Sequence, residues 1–494
     1  MPNQTTTGSS QKHRTEENFF PNDVRMSKII ISNGLVEVDV SAMLVRINIF
    51  EDLYSNTVTG SITLVDSVNL IGAFPFVGLE QIEITFKTPG FGRRKASELF
   101  FDVYKIADRN TGTAAEGTDV TQVYTMHFVS RAFLRNQKSR VRKAYFNKPI
   151  DQMIEEITFD LLGEEVRPEP TAGEQSYVIP GWTPFRAINW LSVRARPFKN
   201  PQAANFLFFE TIGDSFQFRS IDSMVQQKPI IRFVYDPANV RFAKNSGPRT
   251  GRRLLLPELQ LIRSYTIIQS GSMMDRIDQG MYASKLITHD IVTKQFKTNT
   301  FSYIDNFEQL NHIEDQLADD KLSVVQQDAR PFAGGARHGR DSDAVVKFHP
   351  KHTQLYDGVQ DYDESEKWLL QRTSQMKQIE SQRIKIEVPG LNFLAVGQTV
   401  VLEVPRPENT AGREQPSDRD PEISGNYLIT NIHHILGFDD HKMVMELSKE
   451  SMPASSRQGK ADIANLLAGH AGETGGTEIL TQPLPFEIPP TAFA

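Results

Sequence analysis

Between Leu44 and Gly90 the chain reads LVRINIFEDLYSNTVTGSITLVDSVNLIGAFPFVGLEQIEITFKTPG. Val45, Ile47 and Ile49 alternate with polar residues, and Tyr54 to Asn56 turns the chain. Val58, Gly60, Ile62 and Leu64 then keep the same period, as do Ile82, Ile84 and Phe86 before Pro89-Gly90 ends the run. A period of two excludes an amphipathic helix, whose apolar residues recur every three to four positions. Three short alternating runs joined by turns predict an antiparallel sheet buried on one face. Leu99 to Ile106 and Val123 to Val129 extend the meander on either side of a Gly/Thr/Ala loop at 110–118.

The composition then shifts. Arg131 to Lys148 carries Arg131, Arg135, Lys138, Arg140, Arg142, Lys143 and Lys148 with no acidic residue. Pro149 opens a predicted helix over Ile150 to Leu162, a position where proline costs no hydrogen bond. Its stripe is Ile150, Met153, Ile154, Ile157 and Leu161. A second helix over Pro184 to Ala195 buries Phe185, Ile188, Trp190 and Leu191, and a hairpin pairs FLFFET with FQFRSI across Ile212 to Asp214. Two helices and a hairpin make a small α+β insert.

Strands return at Ile231 to Tyr235, Leu259 to Ile268 and Ser284 to Phe296, followed by a short helix over Phe307 to Leu322. Residues 330–364 form a long polar loop, a length that is either functional or unstructured. A helix over Glu366 to Gln382, with Trp368, Leu369, Arg372, Met376 and Ile379 on one side, feeds four alternating strands: IKIEV, VGQTVVLEV, GNYLITNIHHI and HKMVMELS. The division expected is an arm at 1–27, a first tube-like barrel at 28–130, the α+β insert at 131–229 and a strand-rich region at 230–329 that contributes to the barrels. The polar loop at 330–364, a helix with the closing strands of a second barrel at 365–451 and an extended Gly/Pro-rich tail at 452–494 complete it. The fold class expected is mainly β, two tube-like antiparallel barrels in one chain plus a peripheral α+β domain.

The two ends of the chain echo one another. Val77-Gly78 leads a strand, FFDVYKI follows and VYTMHFVS closes; Val396-Gly397 leads a strand, NYLITNI follows and KMVMELS closes. Any two meanders share alternation, so the echo needs a structural test. If it is a repeat, Ile82, Ile84 and Phe86 occupy the places of Val400, Leu402 and Val404.

With 494 residues the chain has room for about three domains. The absence of cysteine excludes disulfides, thiolate metal sites and cysteine nucleophiles. No apolar run reaches the roughly 18 residues of a membrane span, and the first residues lack the apolar core of a secretory signal. A protein assembled in a cytosol, without stable membrane binding, is expected. The net charge of −7 argues against a general nucleic-acid binder, while leaving room for a channel that DNA crosses without sticking.

Catalytic patterns are missing. His433 and His434 are neighbours on a predicted strand, so their rings point to opposite faces and cannot share a metal. His349 and His352 flank Pro350, with no third ligand at a familiar spacing. There is no G-x-S-x-G, phosphate-binding loop or dinucleotide fingerprint. The acidic pairs Glu155-Glu156, Asp319-Asp320 and Asp439-Asp440 are sequence neighbours of the kind found on solvated surfaces. No catalytic residue, cofactor or metal is expected. The basic run is the one charge feature above background: a solvated connector, an ionic contact to an acidic neighbour through Arg131, Arg135, Lys138, Arg140, Arg142 and Lys143, or, third because the whole chain is acidic, a contact to DNA.

The wording of several blocks is more specific than their periodicity. INIFEDLYSNTVTGSITLVDS…FPFVGLEQIEITFKTPG resembles the opening barrel of the baseplate central hub proteins of contractile-tailed bacteriophages, the T-even-type family related to the hub part of type VI secretion spike proteins. TPFRAINWLSVRA…NFLFFETIGDSFQFRSID resembles the helix-then-hairpin element of that family, and DRIDQGMYASKLITHDIVTKQF resembles a later segment through Gly280, Tyr282 and Asp290. The blocks keep the family's order over roughly residues 30 to 450. The resemblance implies a non-enzymatic homotrimer in the virion baseplate, a symmetry adapter between the hexameric tail tube and the trimeric central spike. It implies a channel for DNA in transit, and wedge and tape measure proteins as neighbours. The loop at 330–364, the stretch PRPENTAGREQPSDRDPEIS and the C-terminal tail have no counterpart in the family; the expectation is that the tail ties the hub to the spike or a tube protein. A tail-associated cell-wall hydrolase and a polysaccharide-binding tail protein are the alternatives, and the unassigned lengths are too short for a catalytic domain.

Overall fold

The computed structural model describes residues 22–73, 78, 80–88, 96–111, 121–213, 216–236, 258–270, 275, 278–306, 309–313, 345–351, 364–405, 419–420 and 423–450. The expected arm before residue 22, His352, Asp319-Asp320 and the tail after residue 450 lie outside them, as does most of the loop at 330–364 and of the helix at 307–322.

The alternating runs of the first third form β1 (Arg25–Ser32), β2 (Glu37–Asp39), β3 (Leu44–Asp52), β4 (Thr59–Asp66), β5 (Gln81–Lys87), β6 (Ser97–Thr111) and β7 (Gln122–Ser130). β1 begins inside the region expected as an arm and pairs with β5, Ile29 opposite Ile84. Ile47, Ile49, Ile62, Leu64, Ile82, Ile84 and Phe86 are sealed in one core, as the period of two requires. Val45 is the exception. A register shift between Leu44 and Arg46 turns it outward, where it is exposed.

The insert follows, with β8 (Val141–Lys148), β9 (Val166–Pro168), β10 (Gln175–Trp182), β11 (Phe206–Glu210) and β12 (Phe216–Ser220). The hairpin pairs Phe208 with Phe218 and Glu210 with Phe216. Phe206 stacks on Phe218 and Phe208 on Phe216 at 4.5 and 5.2 Å between ring centroids. The first helix differs from expectation. It is α-helical over Ile150–Ile157, then a π-turn over Thr158–Leu162. The wider turn moves the next inward residue from Leu161 to Leu162, which is fully buried.

The remaining strands are β13 (Arg232–Val234), β14 (Ser264–Ser270), β15 (Ala283–Asp290), β16 (Phe296–Ser302), β17 (Val346–Lys351), β18 (Gln382–Pro389), β19 (Thr399–Glu403), β20 (Gly425–Leu436) and β21 (His441–Lys449). The single strand expected over Ser284 to Phe296 is a hairpin. Asp290 Oδ1 accepts from the amides of Val292 and Thr293 at 2.8 and 3.1 Å and reverses the chain. β17 arises within the stretch expected as loop and runs parallel to β15. The helix Ser365–Gln378 packs against this small sheet and against the helix Pro184–Arg194. It buries Leu370 where Leu369 was expected.

Among the described residues the two meanders do not close into two separate barrels. They form one 13-stranded sheet, ordered β14-β18-β21-β20-β3-β4-β7-β6-β5-β1-β2, with β19 on β20 and β13 on β19. Within it the halves repeat one another. β1-β5-β6-β7-β4-β3 in the first matches β13-β19-β20-β21-β18-β14 in the second, strand for strand in chain order.

The register repeats too. Ile82 opposite Phe101 matches Val400 opposite Tyr427, Val103 opposite Phe128 matches Ile429 opposite Leu447, and Ile47 opposite Ile62 matches Tyr265 opposite Ile386. Both long strands shift register at the next position, between Val103 and Lys105 and between Ile429 and Asn431. Gly78 and Gly397, which lead β5 and β19, have φ of 84° and 79°. Ile82 and Ile84 thus stand where Val400 and Leu402 stand. The first strand departs in direction, antiparallel to its neighbour in the first half and parallel in the second.

Candidate interaction surface

The basic run becomes the helix Arg131–Lys138 and the strand β8. Its six candidates differ in the contacts they make. Arg131 donates to Gln81 Oε1 at 2.9 Å on β5 and lies over the Phe100 ring at 5.2 Å, so it ties the insert to the first sheet. Arg135 donates to the carbonyls of Leu162 and Gly163 and pairs with Glu164 at 3.1 Å, closing the end of the π-turn. Lys143 pairs with Glu156 at 2.7 Å, and Lys148 holds the other oxygen of the same carboxylate. Arg140 donates to the carbonyls of Gln137 and Ser139. Lys138, Arg140 and Arg142 are thus left without a carboxylate partner among the described residues.

The insert meets the first sheet at a cleft of about 260 Å³ lined by Glu98, Phe101, Ser130, Arg131, Glu164 and Glu210. Glu210 accepts from the amide of Val58 at 2.9 Å and from Ser130 Oγ at 2.8 Å. Burial pushes this carboxyl up to about 7, against the two hydrogen bonds that favour its charged form. Asp102, on β6 beside the helix, is also raised by burial, opposed by Arg131, Arg135 and Lys138.

The seam between the halves is the pairing of β3 with β20. It runs from Asp52 opposite Asn431 to Ile47 opposite Leu436. The halves exchange side chains there: Leu53 enters the core of the second half and Leu436 the core of the first. The two adjacent histidines point to opposite faces, as strand geometry demands. His433 stacks on Phe50 at 4.3 Å and faces Asn48 Oδ1 at 3.1 Å. His434 turns inward, Nε2 to Glu51 Oε1 at 3.1 Å and Nδ1 to His441 Nε2 at 3.1 Å, all three side chains sealed.

His441 is held neutral, its pKa lowered by burial and by His434. Its Nδ1 has no partner among the described residues. An unpaired lone pair costs less than an unpaired N–H, so the arrangement is Glu51 accepting from His434, which accepts from His441. The sequence shows these residues but not their meeting, because Glu51 and His434 lie 383 positions apart. Among the described residues no group of three His, Cys, Asp or Glu side chains is placed to hold a metal.

No family model matches the chain. A probable baseplate hub protein of Vibrio phage KVP40 is 21% identical over 447 residues, 88% of this chain and 95% of that protein. Among solved structures, the tail protein from Neisseria meningitidis MC58 covers 86% of this chain and 96% of its own at 9% identity, with a TM-score of 0.47. The 43 kDa tail protein of prophage MuSo2 from Shewanella oneidensis covers 86% and 99% at 10% identity, with a TM-score of 0.46. Along nearly its whole length, then, this chain is similar to a phage baseplate hub protein.

Proposed function

We propose that this chain is the central hub of a contractile phage baseplate, a homotrimeric symmetry adapter with no enzymatic role. The observation that carries the reading is the repeat. Two halves with one strand order and one register mean that a ring of three chains presents six similar sheets around its axis. Such a ring meets a sixfold tail tube on one face and a threefold central spike on the other, with a channel for DNA between them. Tube-like barrels are completed in the ring rather than within one chain. The insert and the basic residues Lys138, Arg140 and Arg142 lie off the repeated sheet, where wedge proteins or the tape measure protein would meet them. The relative that spans the chain bears the name of a baseplate component, which favours this reading over a hydrolase.

Native mass spectrometry of the full chain, alone and with its spike partner, tests the proposal. Three copies per particle are expected. A chain that stays monomeric with the spike present overturns it.

A further inference from the structure

The seam inside the chain is a template for a second seam, and the chain carries both strands that would form it. On β20, residues Gly425–Leu428 pair with β19 and residues Asn431–Leu436 pair, along the same edge, with β3. On β6, its counterpart, residues Ser97–Asp102 pair with β5. Beyond them no strand among the described residues covers that edge. The counterpart of β3 is β14, which pairs with β18 and whose other edge pairs with no strand among the described residues. Among the described residues, one half of the chain has the socket filled; the other has an empty socket and a spare strand.

Exposure follows the same division. Ile47, Ile49, Ile432 and Leu436 are fully buried at the filled seam. At the bare edges Ile267 is 41% and Tyr104 51% exposed. Register matches as well. β14 carries one additional residue between Ile267 and Gln269, and β6 carries one between Ala107 and Asn110. Both fall at the position that Ile49 and His434 occupy opposite one another in the filled seam, so pairing is kept on either side. Long bare edges pair with other chains unless blunted, and these have the length and register of a seam the molecule already makes.

We infer that β14 of one copy adds to the distal half of β6 of a second copy, Thr266 opposite Asn110 and Gln269 opposite Ala107. This rests on the hub reading and supplies its interface. The contact is head-to-tail, with different surfaces on the two partners, so it propagates around a ring and closes with both of these edges paired. Each junction between copies then has the geometry of the junction within a copy.

The absence of cysteine allows a direct test. Thr266→Cys combined with Asn110→Cys, and Gln269→Cys with Ala107→Cys, are oxidised in the full chain. Asn48→Cys with Ile435→Cys, the same position in the filled seam, serves as control. The control should cross-link within one chain, and the test pairs between chains, in a ladder ending at the native ring mass. Ile267→Glu should raise the concentration for half-assembly at least tenfold, while Phe348→Glu, on the separate small sheet, leaves it unchanged. A ring of native mass whose test pairs do not cross-link, or that tolerates Ile267→Glu, overturns this interface and leaves the hub reading standing. A chain that never assembles overturns both.

Discussion

Gly60 and Ile384 stand at the same position of the repeated sheet, and each is matched by the neighbour that its size requires. Opposite Gly60 lies Phe128; opposite Ile384 lies Leu447. A methyl on Gly60 would come within 2.4 Å of the Phe128 ring and of the Asn48 carbonyl. The ring lies over the glycine and stacks on Phe101 at 4.7 Å. The two halves share a backbone plan and fill it with different side-chain pairs.

Gly60→Ala should therefore destabilise the protein by about 1–3 kcal/mol through overpacking. Phe128→Leu, which imports the second half's solution, should recover part of that loss when combined with it. Urea unfolding of both single variants and the double variant gives the coupling. Strict additivity would show that the ring and the glycine do not share one space.

Glu51→Ala removes the acceptor of the buried His434 N–H and of the Ile212 amide, which donates to Glu51 Oε2 at 3.3 Å. The expected loss is about 1–3 kcal/mol for each buried donor left unsatisfied. Glu51→Gln keeps an acceptor oxygen and should cost less. Equal denaturation midpoints for the two variants would contradict the hydrogen-bond assignment at the seam.

Glu210 gives a pH dependence with a defined sign. Its carboxyl, raised from 4.5 to about 7, holds a proton in the folded state that the unfolded chain has released. Its contribution to stability is present below about pH 4.5 and is lost as the pH rises toward 7. Glu210→Gln does not titrate, so the stability of the variant relative to the parent should increase across that window. A difference that stays flat, or falls with pH, would mean that this carboxyl is ionised in the folded protein.

The strands were legible because each carries one buried face, and Ile82, Ile84 and Phe86 declare it without help from distant residues. The repeat was legible only as an echo. Alternation fixes which face is buried, while neighbour and register are set by pairings such as Ile62 with Met126 and Ile386 with Met445, whose partners lie far along the chain. Bulges were hidden for the same reason, and Val45 shows the effect: one extra residue turns a side chain over. In the insert, Leu161 and Leu162 were indistinguishable until the π-turn chose between them.

The basic run was visible as charge, but its partners were not. Glu156 and Glu164 follow the run in sequence and fold back on Lys143 and Arg135. Arg131 is held by Gln81 and Phe100 of the first sheet, which nothing in its neighbourhood announces. The bare edges of β6 and β14 carry no compositional mark, because a backbone edge has the same donors and acceptors whatever its side chains.

The exchange of Leu53 and Leu436 across the seam bears on the order in which the molecule can be made. A ribosome delivers β20 long after β3, so until then the first sheet lacks both the strand that covers its edge and the leucine that completes its core. Contacts of such sequence separation form late and leave apolar strands open in the meantime. The N-terminal sheet is finished only when the C-terminal one arrives, and a chain cut short before Leu436 has no complete half.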